Sequence, residues 1–285
     1  NNLIKIDGKG IAQKTLAYIE KEHKLLKDKY GRAAGLAVIM AGDNPASEIY
    51  VKNKIKACET AGIYSRTIKL DENVTEKDLI EEIEKLNKDD KIDGILVQLP
   101  LPVHIDELKI INAISPEKDV DGFHSVNLGK MIIGDKTGFL PCTPYGIMQL
   151  LDEYGIDPAG KDTVIIGRSN IVGKPAAILF IEKSATVQVC NTKTKNIKDK
   201  IRNADIVIAA VGVPNFIKGE DIKEGAVVID VGINRVNGKL CGDVDYEEVS
   251  EKAGYITPVP GGVGPMTIAS LIKNTFKSYV NKVEK

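Results

Sequence analysis

Apolar residues recur along the chain in two rhythms. Short aliphatic runs alternate with longer stretches whose apolar positions fall three and four apart, the helical spacing. The first half reads as a helix over 12–29, a strand at 35–40, a helix over 46–61, a strand at 65–69, a helix over 76–87 and a strand at 94–98. Thr75 stands where a side chain caps the third of these helices. The second half reads as strands at 163–166, 186–190, 205–211 and 226–231, with helices over 173–183 and 197–203 between them. A last helix runs over 265–280, opened by Pro265, a residue preorganised for a first helical turn. Most of these strands are apolar throughout, which fits parallel sheets covered by helices on both faces. The alternation itself is the pattern of an α/β chain. The stretches SPEKDVDG (115–122) and PCTP (141–144) are turn-rich, and a boundary is expected there. No repeat or low-complexity tract interrupts the pattern.

Composition narrows the possibilities without changing this picture. The 285 residues suit about two domains. With 39 Lys and Arg against 40 Asp and Glu, the chain lacks the positive excess of a nucleic-acid binder. The apolar run DIVIAAVG (205–212) is far too short to span a membrane, and the first ten residues carry no signal-peptide core. The four cysteines, Cys58, Cys142, Cys190 and Cys241, form no C-x-x-C, so neither a zinc site nor a disulfide framework is indicated and a reducing cytoplasm is expected. His23, His104 and His124 have no nucleophile at triad spacing.

Five segments could carry chemistry. VIIGRSNIVG (164–173) has the strand, glycine turn and helix start on which a dinucleotide pyrophosphate rests, with Gly167, Arg168, Ser169 and Gly173 as candidates. It departs from G-x-G-x-x-G, and a plain strand-to-helix turn would read the same. After the next strand, Cys190 is followed by Asn191, Thr192 and Lys193 with no carboxylate for a ribose 2′-hydroxyl. With Arg168 nearby, this favours NADP; a solvated loop is the alternative. Tyr50 and Lys54 stand i, i+4 on one helix face, where a lysine beside a phenol could move protons, although most helix lysines are simply solvated. Gln98 ends an apolar strand, where open α/β sheets collect ligand-binding residues. PGGVG (260–264) is a glycine-rich loop whose backbone could lie against a flat ligand or merely turn the chain.

Taken together, YVxxKxKAC (50–58), VQLPLP (97–102), PEKDVDG (116–122), PCTP (141–144) and PVPGGVGPMT (258–267) resemble, in order and spacing, the bifunctional methylenetetrahydrofolate dehydrogenase/methenyltetrahydrofolate cyclohydrolase family over essentially the whole chain. The resemblance implies an N-terminal α/β folate-binding catalytic domain over 1–122, a Rossmann-like NADP-binding domain over 123–270, a C-terminal helix 271–285 packed back on the first, and a cleft between the domains. It implies oxidation of 5,10-methylenetetrahydrofolate to the 5,10-methenyl compound with NADP, followed by hydrolysis to 10-formyltetrahydrofolate. By the same match Lys54, Tyr50, Gln98 and Asp121 are catalytic. Tyr50, Lys54, Val97, Gln98, Leu99, Asp121, Pro260, Gly261, Gly262, Val263 and Gly264 bind the folate. Gly167, Arg168, Ser169, Gly173, Thr192 and Ile233 bind NADP. No metal is implied, and a cytoplasmic homodimer free of nucleic acid and membrane is expected. Two alternatives remain: a dehydrogenase without the cyclohydrolase step, though such relatives typically lack the lysine present here as Lys54, and a non-catalytic nucleotide-sensing module.

Overall fold

A computed structural model describes residues 2–285. The chain opens with β1 (Ile4–Lys5) and α1 (Gly8–Tyr30), followed by β2 (Gly35–Ala41), α2 (Pro45–Ala61), β3 (Tyr64–Leu70), α3 (Glu76–Asn87), β4 (Gly94–Val97), α4 (Glu107–Ala113) and α5 (Ser125–Ile132). Then come α6 (Cys142–Glu153), β5 (Asp162–Ile166), α7 (Gly173–Glu182), β6 (Thr186–Cys190), α8 (Ile197–Arg202), β7 (Ile206–Ala209), β8 (Val227–Asp230), β9 (Asn234–Val236), β10 (Lys239–Cys241), α9 (Tyr246–Ser250), β11 (Tyr255–Ile256) and α10 (Val263–Val283). Two compact units result. The first comprises Gln13–Cys142 and Ile268–Lys285; the second comprises the segment ending at Ala12 and Thr143–Thr267.

In the first unit a parallel sheet is ordered β3-β2-β4. Strand β2 is buried at every position, and its alternation divides it between two cores. Leu36, Val38 and Met40 pack with Ile19 of α1, Val51 and Cys58 of α2, and Leu271, Ile272 and Tyr279 of α10. Ala37, Ile39 and Ala41 pack with Leu79 and Ile83 of α3 and Ile110 of α4. Helix α2 begins where it does because Asn44 accepts from the amides of Ala46 and Ser47 and Pro45 occupies the first turn. It ends at Gly62, whose left-handed φ of 73° closes the last turn.

The second unit holds a parallel six-stranded sheet ordered β1-β11-β8-β7-β5-β6. Its progression reverses at β5, which has β6 on one side and β7 on the other. In open α/β sheets, the carboxyl ends of strands flanking such a reversal are where ligands bind. Strand β1 enters this sheet by pairing with β11, which is why the first residues group with the second unit. The final helix differs from the expected 265–280 by starting at Val263, so Val263 and Gly264 belong to its first turn and the glycine-rich loop proper ends at Gly262.

Candidate active site

In the first unit, α2 and the segment after β4 bring two polar groups together. Lys54 is half-buried, and its Nζ donates to Gln98 Oε1 at 2.8 Å. Gln98 is buried directly beyond the end of β4, with its amide donating to the carbonyl of Ile39 and its Nε2 to that of Leu99 at 3.1 Å. With Nε2 so engaged, Oε1 is the group left to face the lysine. Val97 is buried as the last residue of β4, and Leu99 is half-buried. Tyr50 stands one helical turn before Lys54 and is 43% exposed.

Asp121 lies in the same neighbourhood. Burial pushes its carboxyl up to about 6, while the Lys54 charge pulls it down and the Asp119 charge adds to the rise. The backbone on either side is pinned. Asn274 Nδ2 of α10 donates to the carbonyls of Val120 at 2.9 Å and Leu140 at 3.0 Å, and the Cys142 thiol also donates to Val120 O. Asp119 accepts from the His124 amide at 2.8 Å and from Asn127 Nδ2 at 2.9 Å. Gly122 follows with φ +81°, and a Cβ there would strike the Leu140 backbone. Burial also raises the Cys142 thiol well above its ordinary value, with the Asp121 charge contributing. The result is a lysine, an amide and a carboxyl whose supports are fixed, an arrangement suited to proton handling.

In the second unit, Gly167 follows β5 with φ +131°, and a Cβ there would strike the carbonyl oxygen of Ala210. A Cβ at Gly173, the first residue of α7, would strike the carbonyl of Gly167. Both positions require glycine, and the turn they frame leaves Arg168 and Ser169 exposed at the start of a helix that no side chain caps. A glycine turn opening into a helix start is an arrangement that can accommodate a phosphate group. Thr192 is exposed on the loop after β6, where the Lys193 amide donates to Asn191 Oδ1. Ile233, 52% exposed beyond β8, lines a cavity of about 120 Å³ together with Leu240 and the segment from Pro258 to Pro265. The cavity thus gathers Ile233 with Pro260, Gly261, Gly262, Val263 and Gly264 within one unit. Sequence reasoning passed over Asn274, and named Cys142 only within the PCTP motif without reading its support of the Asp121 segment, because their partners are distant in the chain. It also passed over the buried Asp230 and Asp243, although an acid closing the apolar run AVVI, as Asp230 does in IDVG (229–232), is a readable signal.

Residues 6–121 match the family model described as tetrahydrofolate dehydrogenase/cyclohydrolase, catalytic domain, and residues 141–283 match its NAD(P)-binding domain. The chain belongs to the tetrahydrofolate dehydrogenase/cyclohydrolase family. A bifunctional protein FolD of Sulfurihydrogenibium sp. (strain YO3AOP1) is 54% identical to it over 282 residues, 99% of each chain. The crystal structure of the bifunctional FolD enzyme from Campylobacter jejuni superposes with a TM-score of 0.97 at 52% identity, covering 98% of this chain and 99% of that one. The Trypanosoma brucei dehydrogenase-cyclohydrolase, solved with NADP cofactor and an inhibitor, superposes at 0.96 with 39% identity over 100% of both chains. As in other members of the tetrahydrofolate dehydrogenase/cyclohydrolase family, a catalytic domain thus accompanies a dinucleotide-binding domain in one chain. No helix among the described residues is long and apolar enough to cross a membrane.

Proposed function

We propose that this chain oxidises 5,10-methylenetetrahydrofolate to 5,10-methenyltetrahydrofolate with NADP and hydrolyses that product to 10-formyltetrahydrofolate, with Lys54 as the proton-handling residue. The observation that carries the reading is the hydrogen bond from Lys54 Nζ to Gln98 Oε1 at 2.8 Å, beside a carboxyl raised to about 6. Hydrolysis adds water to the methenyl carbon with loss of one proton from that water; the hydroxyl proton of the adduct then leaves as the carbonyl forms and the bond to N5 breaks, N5 taking up one proton, so that one proton is released overall. Lys54, oriented by Gln98, is the group that carries the proton. Asp121 pairs with the donor edge of the pterin and fixes its orientation, with Val97 and Leu99 flanking Gln98 and the Tyr50 ring exposed for stacking. Pro260, Gly261, Gly262, Val263 and Gly264 contribute backbone to the folate site.

NADP, when bound, supplies the hydride acceptor. Gly167, Arg168, Ser169 and Gly173 would hold its phosphates, Thr192 would supply a hydroxyl to the 2′-phosphate, and Ile233 would contribute to the same cofactor site. The glycine-only turn before α7 fits such a group, and the absence of a carboxylate after Cys190 favours NADP over NAD. Hydride transfer asks for alignment of two flat rings and no strong acid or base. The test is spectrophotometric: absorbance in the nicotinamide band should change only when methylenetetrahydrofolate and dinucleotide are both present, with NADP used more efficiently than NAD. Equal or better use of NAD removes the cofactor assignment, and no change with either dinucleotide removes the activity.

We further propose a homodimer working in a reducing cytoplasm. Free thiols at Cys58, Cys142 and Cys190, all buried, support the compartment, and β3 supports the dimer because it pairs only with β2 and leaves a seven-residue edge. Sedimentation should give twice the chain mass; the mass of one chain refutes the dimer.

A further inference from the structure

Two carboxylates at the carboxyl ends of the second unit's strands take no part in the chemistry above. Asp230 ends β8 and Asp243 follows β10 by two residues, and they are 4% and 0% exposed. Asp243 Oδ2 accepts from the amides of Val211 at 2.7 Å and Gly212 at 3.0 Å, while its Oδ1 accepts from Asn234 Nδ2 at 2.9 Å. Asp230 in turn accepts from the amides of Gly232 at 3.0 Å, Asp243 at 3.0 Å and Val244 at 3.1 Å. Its own amide donates to Thr257 Oγ1 at 2.8 Å. The backbone runs so close over both carboxylates that a Cβ at Gly232 would strike Asp243 and one at Gly242 would strike Asp230.

The groups so held are those at the sheet's reversal point. Val211 and Gly212 leave β7, Asn234 stands next to Ile233 beyond β8, and Ala210 is the residue against which Gly167 of the phosphate turn closes. We propose that Asp243, itself held by Asp230, is a positioning residue for the dinucleotide: one carboxylate sets the loop after β7, the Ile233 loop and, through Ala210, the phosphate turn in fixed relation. This rests on the NADP reading above and extends it to residues that do not touch the cofactor. A carboxylate suits the site, because three donors converge on its two oxygens and it offers acceptors only. A carboxamide of the same shape keeps the two backbone amides on its oxygen only if Asn234 rotates its own oxygen toward the new NH2, so the charge on these hydrogen bonds is lost.

The two activities of one chain make the test decisive, since hydrolysis of the methenyl compound needs no dinucleotide. Asp243→Asn should raise KM for NADP by roughly tenfold to a hundredfold, the loss expected when a charge-assisted acceptor goes, and leave NADP-free hydrolysis at the parental rate. The reciprocal swap, Asp243→Asn with Asn234→Asp, restores complementarity: the amide oxygen takes the Val211 and Gly212 amides, and its NH2 donates to the new carboxylate at position 234. The swap should bring KM back toward the parental value. A parental KM in Asp243→Asn, equal loss of both activities, or a swap no better than the single variant overturns the proposal. Should Asp243→Asn fail to fold, Asn234→Ala, which leaves the two backbone partners in place, should still raise KM severalfold, and a parental KM there overturns it equally. A parent protein that does not oxidise methylenetetrahydrofolate with NADP overturns instead the reading on which this rests.

Discussion

Lys54 and Lys56 stand two residues apart on α2, yet their surroundings differ. Lys54 is half-buried against Gln98, whereas Lys56 is exposed. Two residues along a helix turn a side chain through more than half a circle, so composition could not tell them apart and the helical period could. Lys54→Met keeps most of the side-chain volume and removes the amine. Proton transfer by a positioned group is worth about a hundredfold to ten-thousandfold, so the variant should lose nearly all hydrolysis while retaining measurable dehydrogenase activity. Lys56→Met should retain both. Methenyltetrahydrofolate accumulating in the coupled reaction is the readout. Parental hydrolysis by Lys54→Met, or its loss in Lys56→Met, would show that the wrong lysine carries the proton.

At the scale of elements, what the sequence made legible is what local chemistry decides. Helix α2 carries Asn44, Pro45 and Gly62 at its ends, and α3 carries Thr75, so their limits could be read almost to the residue. Strands β2 and β4 announce themselves as unbroken apolar runs, and β8 as one that Asp230 closes. Helix α1 starts four residues before the expected 12 because Asp7 accepts from the Gly10 amide, a cap masked by two glycines that argue against a helix. Helix α6 begins inside the PCTP stretch (141–144) that reads as turn punctuation, with Pro144 in its first turn, where proline is tolerated. Strands β1 and β11 are two residues each and exist only through pairing with distant chain. The site followed the same division: Lys54 and Gln98 carried a pattern, whereas Asn274 acquires its meaning only in three dimensions. One buried contact between elements is testable by pH. His23 of α1 bonds the Ala61 carbonyl at the end of α2 through Nδ1 and accepts from the Ala34 amide before β2 through Nε2, with its ring edge-on to Phe276 and Tyr279 of α10. Burial holds its pKa below the ordinary value; the hydrogen bond to the Ala61 carbonyl opposes this, Lys27 adds to the depression, and Asp93 opposes it least. The unfolded chain therefore binds the proton more tightly. This contribution is complete above the unfolded value of about 6.5 and is lost progressively as pH falls from there through the lower folded value. His23→Gln can make both hydrogen bonds without titrating. Between pH 7.5 and 5.5 the parent should lose stability to urea relative to this variant; parallel behaviour of the two would show that His23 does not titrate between the folded and unfolded states.

For the molecule as a whole, the chain passes from one compact unit to the other three times, after Ala12, Cys142 and Thr267. The core of the first unit is completed by Leu271, Ile272 and Tyr279 of α10, none more than 1% exposed. Large buried side chains of this kind are each worth about 2–5 kcal/mol, and a domain's whole margin is about 5–15 kcal/mol. A chain ending at residue 267 should therefore fail to fold its Gln13–Cys142 portion, and limited proteolysis should cut there first; a truncated chain as resistant as the parent in that portion would show that α10 is dispensable. The same late contribution sets a timetable during synthesis. Every strand of the three-stranded sheet has left the ribosome long before α10 is translated, so the apolar face of β2 that waits for it stays open while more than half of the protein is still being made. The portion carrying Lys54 and Gln98 thus matures only after translation has reached the last helix, and in that interval a chaperone that shields exposed apolar surface has its natural point of engagement.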